Sequence, residues 1–200
     1  MIAIVDYGMG NLRSVQKAFE YLGYDAAVTD SAQALANASH VVLPGVGAFR
    51  DAISALRSKG LDEAIKRETA KGKPFLGICL GMQMLFDKSL EDGEYEGLGL
   101  IGGEVVRFDT DLKIPHIGWN TLFYNKRTAL FDGVDDNYFY FVHSYHAAKV
   151  ASEDVETTSV YGYEFVASVN RENVWGVQFH PEKSGDTGLK VLKNFGDIKQ

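Results

Sequence analysis

Two hundred residues with a formal net charge of −7, 46% hydrophobic and 24% charged, describe an ordinary globular chain, long enough to bury a core without disulfides or metal. The acidity argues against nucleic acid or an anionic membrane surface as partner, since both call for basic patches. One cysteine rules out an internal disulfide, Met1–Asp6 reads as a strand and not as a secretory leader, and no apolar run approaches the roughly 20 residues of a membrane span, so a cytoplasmic protein is expected.

The first half alternates short apolar runs with amphipathic ones. Ile2–Val5 is a strand ended by the Gly8–Gly10 turn, and Leu12, Val15, Phe19 and Leu22 recur at helical spacing up to Gly23. Val41–Leu43 is a second strand, stopped by Pro44-Gly45-Val46-Gly47. Helical spacing returns at Phe49, Ala52, Ile53 and Leu56, and again from Leu61 to Gly72. Phe75–Ile78 is a third buried strand, with Met82, Leu85 and Phe86 on one face of the helix after it. Strands alternating with helices imply parallel pairing through crossovers, hence a doubly wound, mostly parallel α/β sheet. Sites in such sheets form at the carboxyl ends of the strands. The loops at Gly8–Asn11, Pro44–Gly47 and Cys79–Gly81 all fall on that edge.

The second half changes character. Glu104–Phe108, Thr121–Tyr124, Asn137–Tyr145, Phe165–Val169 and Val174–Phe179 are aromatic and β-rich, and read as a mostly antiparallel extension of the sheet. A helix over Gly188–Phe195 closes the chain. With no repeat, linker or low-complexity tract, residues 1–200 are expected to form a single domain.

Gly77-Ile78-Cys79-Leu80-Gly81 places a cysteine between two glycines at the junction of a strand and a helix. That is the spacing of a nucleophile elbow, with sulfur in place of a serine hydroxyl. The turn is too sharp for side chains two residues away on either side. Cys79 then sits at a helix start, where free N–H groups and the helix dipole favour its thiolate, and the N–H of Leu80 can face a developing oxyanion. The competing reading is a cysteine that only fills space.

A thiol nucleophile needs a base. His180 follows the run Val174–Phe179, and Pro181 keeps it extended, so His180 and Glu182 can point the same way. One ring nitrogen would face the thiol while the other is oriented by the Glu182 carboxylate. The alternative is a strand-end histidine beside a solvated glutamate. The other histidines lack zinc-ligand spacing, the third glycine of a dinucleotide fingerprint is missing, and the elbow loop lacks the lysine of a phosphate loop, so no metal or cofactor is expected.

Gly77–Gln83 together with His180-Pro181-Glu182 resembles the triad (class I) glutamine amidotransferases. Asp6–Leu12, Pro115–Asn120 and Tyr140–Tyr145 narrow the resemblance to glutaminase subunits of imidazole glycerol phosphate synthase, from the first strand to the last helix. The resemblance implies that Cys79 forms a glutamyl thioester, that His180 moves the protons, and that Glu182 orients His180. It implies an oxyanion hole from Leu80 and from Val46 or Gly47, substrate contacts at Gln83, Ser144 and Tyr145, and a partner interface at Asn11, Trp119, Tyr140 and Lys183. Taken as residues alone, Trp119 and Tyr140 are as readily core, and Pro44–Gly47 as readily an ordinary tight loop. The implied partner is a separate (β/α)₈-barrel cyclase that uses the ammonia. Two hundred residues leave no room for a synthase, which fits a partner in trans. Other readings are the same chemistry serving anthranilate, purine or pyridoxal phosphate synthesis, a stand-alone γ-glutamyl cysteine hydrolase, and a silent regulatory module.

Overall fold

The computed structural model describes residues 1–199. Its first half runs β1 (Ile2–Val5), α1 (Leu12–Tyr21), β2 (Ala26–Thr29), α2 (Ala32–Asn37), β3 (His40–Gly45), α3 (Phe49–Ser58), α4 (Leu61–Thr69), β4 (Phe75–Cys79) and α5 (Leu80–Gln83). The second half is β5 (Lys88–Ser89), β6 (Tyr95–Glu96), β7 (Glu104–Arg107), β8 (His116–Thr121), β9 (Phe123–Tyr124), β10 (Tyr138–His143), β11 (Tyr145–Ala148), β12 (Val155–Tyr161), β13 (Tyr163–Arg171), β14 (Val174–Val177) and α6 (Gly185–Asp197).

The main sheet runs β2-β1-β3-β4-β14-β13-β11-β7-β5-β6, with β12 and β9 branching from β13. From β2 to β14 all pairings are parallel, and from β14 to β13, β11 and β7 they are antiparallel. Side chains alternate between faces along each strand. Ile2 and Ile4 pack with Val15 and Phe19 of α1 and Val191, Leu192 and Phe195 of α6. Ala3 and Val5 face the other way, onto Leu35, Phe49, Ile53, Leu56 and Ile65 of α2, α3 and α4. This is the doubly wound sheet with an antiparallel extension that the periodicity indicates. Among the described residues no helix is long and apolar enough to cross a membrane.

Several elements differ from the sequence reading. The helix after Cys79 is a single turn, because the carbonyls of Met84, Leu85 and Phe86 accept from the N–H groups of Leu98, Leu100 and Gly99 instead of continuing the helix. The expected strand Asn137–Tyr145 is two strands parted by Ser144. β10 pairs only with β8, in a separate antiparallel ribbon, whereas β11 lies in the main sheet between β13 and β7. His143 and His146 thus fall on different strands. β2, α2 and β12 lack the unbroken apolar run that marks β3 and β4. β12 buries Glu156, Thr157 and Ser159, polar side chains that hide its strand character.

Candidate active site

Cys79 ends β4 with φ 56° and ψ −113°, a backbone conformation that costs a side-chain-bearing residue on the order of 1–3 kcal/mol. The surroundings impose it. A Cβ on Gly81 would lie 1.7 Å from the Leu43 carbonyl oxygen, and one on Gly77 would lie 2.6 Å from that of Gly81. Both glycines of the motif are therefore required by contact with backbone. β3 lies alongside, pairing Gly45 with Cys79, so Val46 and Gly47 emerge next to the sulfur. Gly47 has φ +97°. The buried Tyr7 hydroxyl fixes this edge by donating to Pro44 O at 3.0 Å. Burial, and then the charge at Cys79, raise the pKa of that phenol.

A pocket of about 330 Å³ opens over the elbow. Val46, Gly47, Cys79, Leu80, Gln83, Ser144, Tyr145, His180 and Lys183 line it, together with Glu91, Pro115, Val142 and His143. The sulfur and the imidazole, a hundred residues apart in sequence, thus share one cavity. Glu182 lies behind His180, with its Oε1 2.9 Å from His180 Nδ1 and both side chains almost wholly buried. The carboxylate accepts from Nδ1, which leaves Nε2 as the other ring nitrogen. Nε2 is buried and has no hydrogen-bond partner among the described residues. Burial alone would lower the His180 pKa. The Cys79 thiolate, and after it Glu182, outweigh burial and raise it to about 10. The site therefore favours the imidazolium form of His180.

The single turn of α5 changes one expectation. A long helix dipole does not act on Cys79, so the helical contribution comes from the few free N–H groups at the elbow itself.

Three polar residues complete the site without a sequence motif to mark them. Gln178, fully buried between Val177 and Phe179, directs Nε2 toward Cys79 Sγ at 3.7 Å and accepts from Gln83 Nε2 at 3.1 Å. A lone amide in an apolar strand must find partners, and that was its one available signal. Glu91 Oε2 accepts from Phe49 N–H at 2.7 Å, tying the start of α3 to the pocket, and burial raises its pKa. Ser184 Oγ donates to His180 O at 2.7 Å and accepts from Tyr140 N–H at 3.0 Å. Gln83 has its own amide nitrogen engaged, by Tyr145 O at 3.0 Å as well as by Gln178.

The residues expected at a partner interface fall outside the pocket, apart from Lys183. Trp119 and Tyr140 are cross-strand partners of the β8–β10 ribbon, with ring centroids 6.3 Å apart, and Lys183 Nζ lies 5.9 Å from the Tyr140 ring. Trp119 is 54% exposed, with Ile117, Phe123 and Tyr138 exposed near it, so it is not core. Asn11 stands at the N-cap position of α1 without a side-chain cap bond, and its Oδ1 accepts from Ser14 Oγ at 2.8 Å.

Comparison with known proteins gives the family and the fold. The family described as "Glutamine amidotransferase class-I" matches residues 3–198. A relative from Desulfitobacterium hafniense (strain DSM 10664 / DCB-2), named imidazole glycerol phosphate synthase subunit HisH, is 55% identical over 98% of this chain and 93% of its own. One of the same name from Caldanaerobacter subterraneus subsp. tengcongensis is 52% identical over 99% and 98%. A solved structure of PurLQS from Thermotoga maritima, 21% identical, superposes with a TM-score of 0.79 over 98% of this chain and 97% of that one, a likeness of fold. The chain belongs to the class-I glutamine amidotransferases and, within them, to the HisH subunits of imidazole glycerol phosphate synthase.

Proposed function

We propose that this chain hydrolyses L-glutamine to glutamate and ammonia, and that as the glutaminase subunit of imidazole glycerol phosphate synthase it passes the ammonia to a separate cyclase. The observation that carries the reading is His180, with Nδ1 held by Glu182 and Nε2 unpartnered at the cavity it shares with Cys79. In the first half-reaction the Cys79 thiolate adds to the side-chain amide carbon. The oxyanion is met by N–H groups at Leu80 and at Val46 or Gly47. The C–N bond breaks as His180 gives its proton to the departing ammonia, leaving a γ-glutamyl thioester. In the second half-reaction neutral His180 takes a proton from water, hydroxide attacks the thioester, and glutamate leaves as the thiolate returns. Ser144 and Tyr145 form the wall against which the amino acid lies. The Glu91 carboxylate suits its α-ammonium group. Gln83 supports that wall through Tyr145 O.

On this reading the partner is a (β/α)₈-barrel cyclase, docked on the exposed face of Trp119 and Tyr140 with Lys183 and Asn11 at its margin. The exposed aromatic ribbon favours a partner-dependent subunit over a stand-alone hydrolase, since apolar surface of this kind is typical of interfaces. The reaction would take place in the cytoplasm, with residues 1–200 as one catalytic domain. Cys79→Ala tests the assignment. In the reconstituted synthase it should abolish glutamine-dependent product and leave synthesis from added ammonia intact. Loss of both would make Cys79 structural, and retention of both would remove it from the chemistry.

A further inference from the structure

Three side chains outside the triad form a hydrogen-bonded line from the outer ribbon to the pocket wall. Asn120 is oriented at both ends: its Oδ1 accepts from Thr121 N–H at 2.8 Å and its Nδ2 donates to Val160 O at 2.9 Å. The same Nδ2 lies 3.2 Å from His116 Nε2, which must therefore accept. His116 Nδ1 then carries that ring's proton and donates to His143 Nε2 at 3.0 Å. His143 Nδ1 lies 2.9 Å from Tyr145 O, and a carbonyl only accepts, so this nitrogen carries the second proton. Fixed groups at the two ends leave one arrangement of protons, with both imidazoles neutral and protonated at Nδ1. Burial agrees, lowering the pKa of His116 to about 4 and that of His143 to about 3.

The line ends at a functional place. Tyr145 O also accepts from Gln83 Nε2, and Gln83 continues through Gln178 toward Cys79 Sγ. His116 is stacked between the rings of Phe141 and Tyr161, at 5.1 and 4.2 Å, which leaves it no room to turn. We propose that His116 and His143 are positioning residues whose fixed tautomers hold the Tyr145 carbonyl, and with it the Ser144–Tyr145 wall, at the distance from Cys79 that seats the amino-acid end of glutamine. The inference rests on the glutamine reading above. It separates these two imidazoles from proton transfer, which stays with His180.

The test uses two alkylating agents on the full chain in complex with its cyclase. 6-Diazo-5-oxo-L-norleucine reaches Cys79 only after binding as an amino acid, whereas iodoacetamide needs only the thiolate. His143→Leu should raise the half-saturating concentration of the diazoketone about tenfold, as expected for one lost buried hydrogen bond, while iodoacetamide reacts at nearly the wild-type rate. His143→Asn puts an amide N–H where Nδ1 stood and should restore diazoketone binding to within about twofold, by the same hydrogen-bond arithmetic. Equal diazoketone binding in wild type and His143→Leu, or equal losses toward both reagents, would overturn the proposal. A wild-type chain that takes iodoacetamide but never the diazoketone would instead sink the glutamine reading. An imidazole ¹⁵N spectrum of the wild-type chain at neutral pH needs no variant to fold. It should show both histidines protonated at Nδ1, and a bare Nδ1 in either would also overturn the proposal.

Discussion

The backbone N–H of His180 donates to the carbonyl of Tyr140 across 2.9 Å, so the proposed base hangs from the same strand that carries the half-buried Tyr140 ring. Ser184 closes the link from the other side, between His180 O and Tyr140 N–H. Ser184 stands at the N-cap of α6, where a serine ordinarily bonds its own helix, yet it makes no cap bond. Ser184→Ala strands the N–H of Tyr140, while His180 O keeps the N–H of Lys183, at a cost of about 1–3 kcal/mol. Turnover should fall with little change in the KM for glutamine, and the urea midpoint should drop. Wild-type values for both would show that the link does nothing.

The raised pKa of His180 has a definite sign. Stability from a histidine whose folded pKa lies above its ordinary 6.5 is fully present below pH 6.5 and is lost as pH rises through about 10. Glu182→Gln removes one of the two charges that lift it, so the folded-state titration should move down and the stabilised window should narrow from its alkaline side. An NMR titration of the His180 ring reads this directly, and a midpoint left unmoved by the substitution would contradict the ion-pair account.

Strain at the elbow gives a stability prediction independent of activity. Cys79 sits at φ 56°, where glycine pays no steric penalty. Cys79→Gly should be more stable than Cys79→Ala by about 1 kcal/mol, the reverse of the usual order in regular structure. Urea unfolding of the two variants checks it, and a more stable alanine variant would show that the turn is relaxed.

Gly81→Ala should be severe. Its Cβ would sit 1.7 Å from the Leu43 carbonyl oxygen, so β3 and the turn of α5 must separate. A loss of at least about 3 kcal/mol is expected, at the top of the range for overpacking. A near-wild-type thermal midpoint would mean that the backbone can yield there.

Trp119→Ala should weaken capture of the cyclase by about 2 kcal/mol, roughly thirtyfold in Kd, while the free chain unfolds at an unchanged urea concentration. Unaltered affinity would take Trp119 out of the docking face.

The elbow, the parallel half of the sheet and the His180–Glu182 pair were legible because each has a local cause. Gly77 and Gly81 report a steric demand within five residues, β3 and β4 are unbroken apolar runs, and Pro181 keeps His180 extended, although Glu182 meets the ring from a 3₁₀ turn over Pro181–Lys183 and not from the continued strand that the sequence suggests. The end of α5 was not legible, because it depends on N–H groups of Leu98 to Leu100 that arrive from beyond an intervening hairpin. Nor was the split at Ser144, since β10 and β11 share one aromatic-rich composition and only their partners, β8 and β7, distinguish them. Glu91 had no signal at all. It enters the pocket by tertiary placement, bonded to the N–H of Phe49 forty-two residues earlier.

That split has a mechanical consequence. Among the described residues the ribbon of β8 and β10 forms a ladder only with itself and is tied to its neighbours by single bonds, such as Asn120 to Val160 O and His180 N–H to Tyr140 O, yet it carries Trp119 and Tyr140 on its outer side and reaches the cavity at Val142 and His143. Contact on its outer side therefore lies one strand away from the backbone of His180, through the bond from His180 N–H to Tyr140 O. The outer aromatic side and the cavity wall are thus two ends of one short ribbon, with no strand of the larger sheet between them.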